Sequence, residues 1–260
     1  MGIVNVTPDS FSDGGRFLDG SKAIAQAMRL VEEGADIIDI GGESSRPGAA
    51  PVPADEEVAR LLPVLRAMRG VPVPVSVDTV KPEVMRAVLD EGAAMINDIT
   101  ALSAPGAIDV VAGSNCGDCL MHMQGEPRTM QAAPHYEDVV AQVRAYLGRR
   151  AKAVETAGVG RDRIVIDPGF GFGKTVRHNL ELLRRLDAFA ELGLPLLAGW
   201  SRKSSLGKIT GRPADQRLAA SLAAAVMALE RGARLLRVHD VAATRDAVSF
   251  FCALRDGVPE

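Results

Sequence analysis

Short apolar, β-branched segments alternate with longer segments rich in Ala, Leu, Arg and Glu, and this alternation constrains the fold more than any other feature of the chain. Eight rounds are legible. Strands are expected at 2–6, 36–41, 73–78, 94–99, 118–123, 163–167, 195–200 and 235–239. Helices are expected at 21–33, 54–68, 82–91, 106–112, 135–157, 176–192, 214–231 and 241–254. Strand, helix, strand is a βαβ unit, which implies parallel pairing with helices laid over the sheet. Helix-to-strand turns are short and carry Gly, as in Glu33-Gly34-Ala35-Asp36, Glu91-Gly92-Ala93 and Arg231-Gly232-Ala233. Gly accepts a left-handed C-cap at no steric cost. The strand-to-helix turns at 7–20, 42–53, 124–134 and 168–175 are longer and hold most of the reactive residue types.

Eight such units in 260 residues predict an α/β fold, a (β/α)8 TIM barrel forming a single domain over 1–260. A doubly wound sheet is disfavoured, because the first strand runs into Asn5-Val6-Thr7-Pro8-Asp9-Ser10 where a dinucleotide fold has its Gly-rich turn. The first strand begins at the first residues, so a late start, without a segment over the barrel floor, is expected. With 30 Lys and Arg against 33 Asp and Glu, and no block of like charge, neither a nucleic acid nor an anionic membrane is an expected partner. No apolar run approaches the length of a membrane span, so a cytoplasmic location is expected. Cys116-Gly-Asp-Cys119 has redox or zinc spacing, but no second pair and no His pair accompanies it. Ordinary cysteines are the better reading.

Working residues of a barrel sit at the C-terminal strand ends. Those ends supply Asn5, Asp39 with Glu43, Asp78, Asn97 with Asp98, His122, Asp167, Lys203, and Arg237 with His239 and Asp240. Asp98 and Asp240 could equally be caps of the following turns. No nucleophile elbow and no zinc-protease motif is present. The stretch Pro168-Gly-Phe-Gly-Phe-Gly-Lys174-Thr175 lacks P-loop spacing and reads as a flexible, Gly-hinged loop bearing Phe170 and Phe172. Arg237 and His239, two apart, are expected on one face. Residues 201–204 read as a helix start, which suits an anion. A carboxylate floor under a cationic rim fits a heterocycle with N–H edges and a phosphate arm.

Eight motifs in order then carry a resemblance: Asn5-Val-Thr-Pro-Asp-Ser-Phe-Ser-Asp-Gly-Gly15, Asp39-Ile-Gly-Gly-Glu-Ser-Ser-Arg-Pro-Gly48, Ser76-Val-Asp-Thr79, Asn97-Asp-Ile99, Met121-His-Met-Gln-Gly125, Asp167-Pro-Gly-Phe-Gly-Phe-Gly-Lys174, Ser201-Arg-Lys-Ser204 and Arg237-Val-His-Asp-Val241. Together they resemble the dihydropteroate synthase family. The resemblance implies condensation of 6-hydroxymethyl-7,8-dihydropterin diphosphate with p-aminobenzoate, with Mg²⁺ on the leaving group and sulfonamides as inhibitors. It implies a pterin site of Asp78, Asn97, Met121, Asp167, Gly199 and Lys203. Diphosphate would be held by Asn5, Ser45, Arg237 and His239, the metal by Asn5 and Asp13. The p-aminobenzoate site would comprise Arg46, Pro47, Phe172, Lys203 and Ser204. Asn5, Asp13, Arg46, Lys203, Arg237 and His239 would carry catalysis. Ser45 stands where many members have Thr, and Trp200 is bulkier than the usual neighbour of Gly199. A pterin-binding methyltransferase and an inactive pterin-binding paralogue stay open as alternatives; the first does not need the 7–15 and 201–204 motifs, and the second would lose the diphosphate groups.

The residue set lacks a strong general base for the amine, so diphosphate is expected to leave before the amine attacks. The helix containing Leu218-Ala-Ala-Ser-Leu-Ala-Ala-Ala-Val-Met-Ala-Leu229 is apolar nearly all round, which predicts a twofold homodimer, the alternative being cover by neighbouring helices of the same chain. Loops 7–20 and 43–53 are poor in core-forming residues. They are expected to be mobile until the pterin binds, Asp13 and Arg46 then closing a pocket for the second substrate.

Overall fold

The computed structural model describes residues 1–6, 16–44 and 48–257, with the side chains of all of these except 16–19. Eight parallel strands alternate with helices: β1 Gly2–Asn5, β2 Ile38–Gly41, β3 Val75–Asp78, β4 Met95–Asp98, β5 Gly117–Met121, β6 Ile164–Asp167, β7 Leu197–Ala198 and β8 Leu235–Leu236. The helices are α1 Arg16–Glu32, α2 Ala54–Ala67, α3 Pro82–Asp90, α4 Ala107–Ala112, α5 Val139–Thr156, α6 Val176–Arg184, α7 Ser204–Thr210, α8 Leu218–Glu230 and α9 Val241–Asp256. Strands β1 to β6 pair in sequence order, and β7 pairs with β8. Bridges between Ile166 and Leu196 and between Gly2 and Val238 join the two groups. Ile3 N–H donates to Val238 O at 2.9 Å, and Val238 N–H to Met1 O at 2.9 Å, so the last strand returns to the first. The expected TIM barrel is the fold.

Strand residues alternate between two environments, as period-two geometry requires. Ile38, Ile40, Val77, Ile96, Leu120, Ile164 and Ile166 face outward into the shell against the helices and are buried completely or nearly so. Each such side chain contributes roughly 1.5–3 kcal/mol of burial. The inward set differs in kind: Met95, Cys119 and Leu197, packed with Val165 and Leu235, fill part of the interior, while Asp39, Ser76 and Asn97 are buried as polar groups on the first four strands. Gly34, Gly92 and Gly232 have φ of 90°, 104° and 96°, the left-handed caps expected at these turns.

Element boundaries differ from expectation in several places: α1 starts at Arg16 rather than at 21, and the strands expected at 195–200 and 235–239 shorten to Leu197–Ala198 and Leu235–Leu236. The helix expected at 135–157 starts only at Val139, because Asp138 caps it, accepting from Val140 N–H at 2.9 Å and Ala141 N–H at 3.1 Å. The helix expected at 176–192 ends at Arg184 and continues as a 3₁₀ turn, Leu186–Leu192. Two helices follow β7, α7 at the helix start expected at 201–204 and α8 within the helix expected at 214–231, and Gly211 at φ 71° and then Pro213 stop α7 between them. Helix α8 seats Ser221, Ala224, Ala225 and Ala228 against its own chain, so neighbours cover one face. Leu218 and Met227 on it remain exposed, as do Phe250 and Leu254 on α9. Among the described residues no helix is long and apolar enough to cross a membrane.

Candidate active site

Parallel pairing lines up the strand ends. Register places Asn5 opposite Gly41, Gly41 opposite Asp78, Asp78 opposite Asn97, and Met121 opposite Asp167. Asp39 lies on the same face as Gly41, one layer deeper, and is wholly buried. Its Oδ2 accepts from Arg237 Nε at 2.6 Å and from Asn97 Nδ2 at 3.2 Å, while Oδ1 has no partner. Arg237 Nη2 donates to Asp78 Oδ2 at 2.9 Å. Arg237 is thus turned toward two carboxylates rather than held only for an anion. Burial pushes the Asp78 carboxyl up, with Arg237 opposing and the Asp39, Asp98 and Glu57 charges adding to the rise. The carboxylates in turn hold the guanidinium charged against its own desolvation.

Across the mouth, Asp167 Oδ1 accepts from Gly169 N–H at 2.7 Å. Burial raises its carboxyl, and the charges of Lys203, Lys174 and Arg237 act against that rise. Lys203 Nζ stands 4.2 Å over the Phe172 ring, a cation–π contact. Desolvation lowers the Lys203 amine to about 8, Asp167 opposing. Gly199 follows β7, where a Cβ would lie 3.9 Å from Arg237 Cβ. Ser204 is the exposed first residue of α7, so the helix start expected at 201–204 is present. His239 donates its backbone N–H to Ser201 Oγ at 3.1 Å, and its Nδ1 lies 3.0 Å from the same oxygen.

Other strand-end groups turn elsewhere. Asp98 is a cap, accepting from Thr100 N–H at 2.6 Å, Thr100 Oγ1 at 2.7 Å and Leu102 N–H at 3.1 Å. Asp240 makes no cap bond and instead pairs with Arg202. Glu43 and the buried Glu57 share Lys81, a residue the sequence did not single out. Cys116 and Cys119 are free and buried in different places: Cys116 Sγ lies 3.5 Å from Asp118 Oδ1, whereas Cys119 is in the barrel interior.

The stretch 168–175 is not the flexible loop its glycines suggested. Lys174 Nζ donates to Gly169 O and Phe172 O, both at 2.9 Å, and to His122 O at 3.2 Å, which binds the loop to the end of β5. Phe170 is buried with its ring centroid 4.7 Å from that of Trp200. His122 is drawn into this arrangement and away from the mouth. Lys174 stood in a quoted motif without a role; one polar residue closing a Gly-rich run was the available signal.

Asp13, Ser45, Arg46 and Pro47 lie outside the described residues, as do 7–15 of the loop 7–20 and 45–47 of the loop 43–53 for which mobility is expected. Within the described residues, the geometry brings together Asp78, Asn97 and Arg237 on one side and Asp167, Lys203 and Phe172 on the other.

Comparison with known proteins adds to this. The family described as pterin binding enzyme matches residues 1–239. The chain is 48% identical over 254 residues to the dihydropteroate synthase of Haemophilus influenzae, covering 97% of this chain and 92% of that relative. Identity to the Escherichia coli dihydropteroate synthase is 49% over 249 residues, covering 95% and 88%. Among solved structures, Xanthomonas albilineans dihydropteroate synthase with 4-aminobenzoic acid superposes with a TM-score of 0.94 at 54% identity, covering 100% of this chain and 93% of that one. The Yersinia pestis dihydropteroate synthase with a sulfonamide drug complex gives 0.93 at 44% identity, covering 98% and 93%.

Proposed function

The chain belongs to the dihydropteroate synthase family of pterin binding enzymes, and on that premise we propose that it joins p-aminobenzoate to the methylene carbon of 6-hydroxymethyl-7,8-dihydropterin diphosphate, releasing diphosphate and forming 7,8-dihydropteroate. It is an alkyl-group transferase of folate biosynthesis. The observation that carries the reading is the pair of facing groups at the barrel mouth, buried Asp167 on one strand end and Lys203 over Phe172 beside it. A buried carboxylate suits two parallel N–H bonds from a 2-amino-pyrimidinone edge. The ring and ammonium suit an aromatic acid stacked next to it. Asp78, Asn97, Met121 and Gly199 complete the pterin pocket in this reading, Asn5, Ser45, Arg237 and His239 meet diphosphate, and Arg46, Pro47 and Ser204 meet p-aminobenzoate. Sulfonamides, as p-aminobenzoate mimics, bind the same place.

The carbon–oxygen bond breaks first, its electron pair leaving on diphosphate. The amine lone pair then forms the carbon–nitrogen bond, and the surplus amine proton passes to solvent or diphosphate. Arg237 and His239 hold the departing anion, and such preorganised charge is usually the largest catalytic contribution. Among the described residues no cluster of three or more His, Cys, Asp or Glu could hold a metal ion alone. The amide oxygen of half-buried Asn5 at the mouth is a hard donor, which fits Mg²⁺ held chiefly by substrate phosphates with one or two protein ligands, Asp13 being the second. The ion would neutralise charge on the leaving group.

The reading extends to one domain over 1–260, a cytoplasmic location, and a twofold homodimer. Support for the dimer comes from exposed Leu218 and Met227 on α8 and Phe250 and Leu254 on α9, the last two at 74% and 78%. The deciding experiment incubates the protein with the pterin diphosphate, Mg²⁺ and p-aminobenzoate and looks for dihydropteroate; diphosphate release without p-aminobenzoate checks the order of bond breaking. No dihydropteroate from folded protein would overturn the reading.

A further inference from the structure

The 168–173 segment follows β6 and lines the mouth, and after Pro168 every second residue is a glycine. Gly169, Gly171 and Gly173 take φ of 68°, 83° and 61°. A backbone that enters the left-handed region three times in five residues has many alternatives of similar energy in isolation. One side chain makes more bonds to it than any other. Lys174 is 3% exposed, and its ammonium meets four acceptors: Gly169 O, Phe172 O, His122 O and, at 3.0 Å, His122 Nδ1. Two of the carbonyls belong to the Gly-rich segment, and the rest of the cage belongs to the end of β5. Desolvation and the Lys174 charge hold the His122 imidazole down at about 3, so the ring is neutral and Nδ1 accepts. Asn179 and Tyr136 add single bonds to the same segment, from Gly171 N–H at 2.8 Å and to Gly173 O at 2.9 Å.

We propose that Lys174 is a positioning residue for the transfer reaction: by gathering the carbonyls of Gly169, Phe172 and His122 it seats the 168–173 segment, and so sets the Phe172 ring against Lys203 and the Gly169 N–H against Asp167. The inference rests on the reading of Phe172 and Asp167 as substrate-facing groups. Lys174 itself is enclosed and touches no substrate; it acts through the segment. Desolvation pulls the Lys174 amine down to about 7, Asp167 opposing, and the Lys174 charge acts against the burial that raises the Asp167 carboxyl.

Trp200 makes the proposal testable without a ligand. It is the only tryptophan of the chain, buried at 3%, with Phe170 of the same segment against it. Its emission therefore reports how the segment is seated. Lys174→Met and Lys174→Gln are compared with Phe172→Ala and the wild type. Misplacement of a wall by about 1 Å is enough to cost tenfold or more. Both Lys174 variants should raise KM for p-aminobenzoate by about tenfold or more with a smaller change in kcat, and should red-shift Trp200 emission in the free enzyme. Phe172→Ala should raise the same KM while leaving the emission unchanged. Folded Lys174 variants with wild-type KM and wild-type emission overturn the proposal. So does failure of both to fold, which would make Lys174 structural only. An unaltered KM in Phe172→Ala strikes the active-site reading instead.

Discussion

Arg237 Nε lies 2.6 Å from Asp39 Oδ2, joining groups 198 residues apart in the chain. The contact draws the end of β8 onto β2 inside the barrel, and Asp78 at 2.9 Å makes it a fork. Removing one partner of a buried pair leaves an uncompensated charge and costs roughly 3–5 kcal/mol. Arg237→Ala should therefore lower unfolding free energy by about that amount, measured by urea denaturation at neutral pH. Asp39→Asn with Arg237→Met should cost less than the single change, because of the two carboxylates only Asp78 then loses its cation.

Asp118 gives a pH dependence of stability. It is completely buried, its Oδ2 has no partner, and desolvation raises its carboxyl to about 7 from the ordinary 3.8. A raised folded value means that the stability gained from the protonated form is complete below about pH 4, declines as pH rises, and is gone above about pH 7. The span corresponds to something on the order of 2–4 kcal/mol. Asp118→Asn should remove most of this slope, raising the melting temperature at pH 8 more than at pH 5; equal gains at both would refute it.

Ser201 orients His239 through two contacts with one hydroxyl, 3.1 Å from the backbone nitrogen and 3.0 Å from Nδ1. A single neutral hydrogen bond contributes about 0.5–1.5 kcal/mol. Ser201→Ala should reduce kcat by about tenfold if that energy is expressed in the transition state. Steady-state kinetics should show little change in KM for p-aminobenzoate.

Gly169 has φ of 68°, and a Cβ there would overlap the His122 carbonyl oxygen. The left-handed conformation alone costs a non-Gly residue about 1–2 kcal/mol. Gly169→Ala should be destabilised by more than this in thermal melts, and should lose pterin affinity because its N–H no longer braces Asp167. Calorimetric titration with the pterin diphosphate reads the second effect.

Met227 is 49% exposed on α8, within the apolar surface assigned to the dimer. Met227→Glu should place two charges at a twofold interface and yield a monomer by light scattering at micromolar concentration, with the melting curve of the protomer retained. A wild-type protein that is monomeric at that concentration would remove the dimer from the reading.

The order of elements and the barrel were legible because they depend on local information. Apolar period, Gly caps and segment length act within about ten residues, and strand ends then name Asn5, Asp78, Asn97, Asp167 and Arg237 as residues of the mouth. Which of these groups meet was not legible. Arg237 chooses Asp39 and Asp78, Asp98 turns aside to cap Thr100 and Leu102, and Lys174 reaches across to His122. The glycines of 168–173 read locally as freedom, and side chains from outside the segment, Lys174 foremost with Asn179 and Tyr136, remove it. Such partnerships depend on strand register and on desolvation inside a closed barrel, where a buried charge must find the nearest compensating group whatever its distance along the chain.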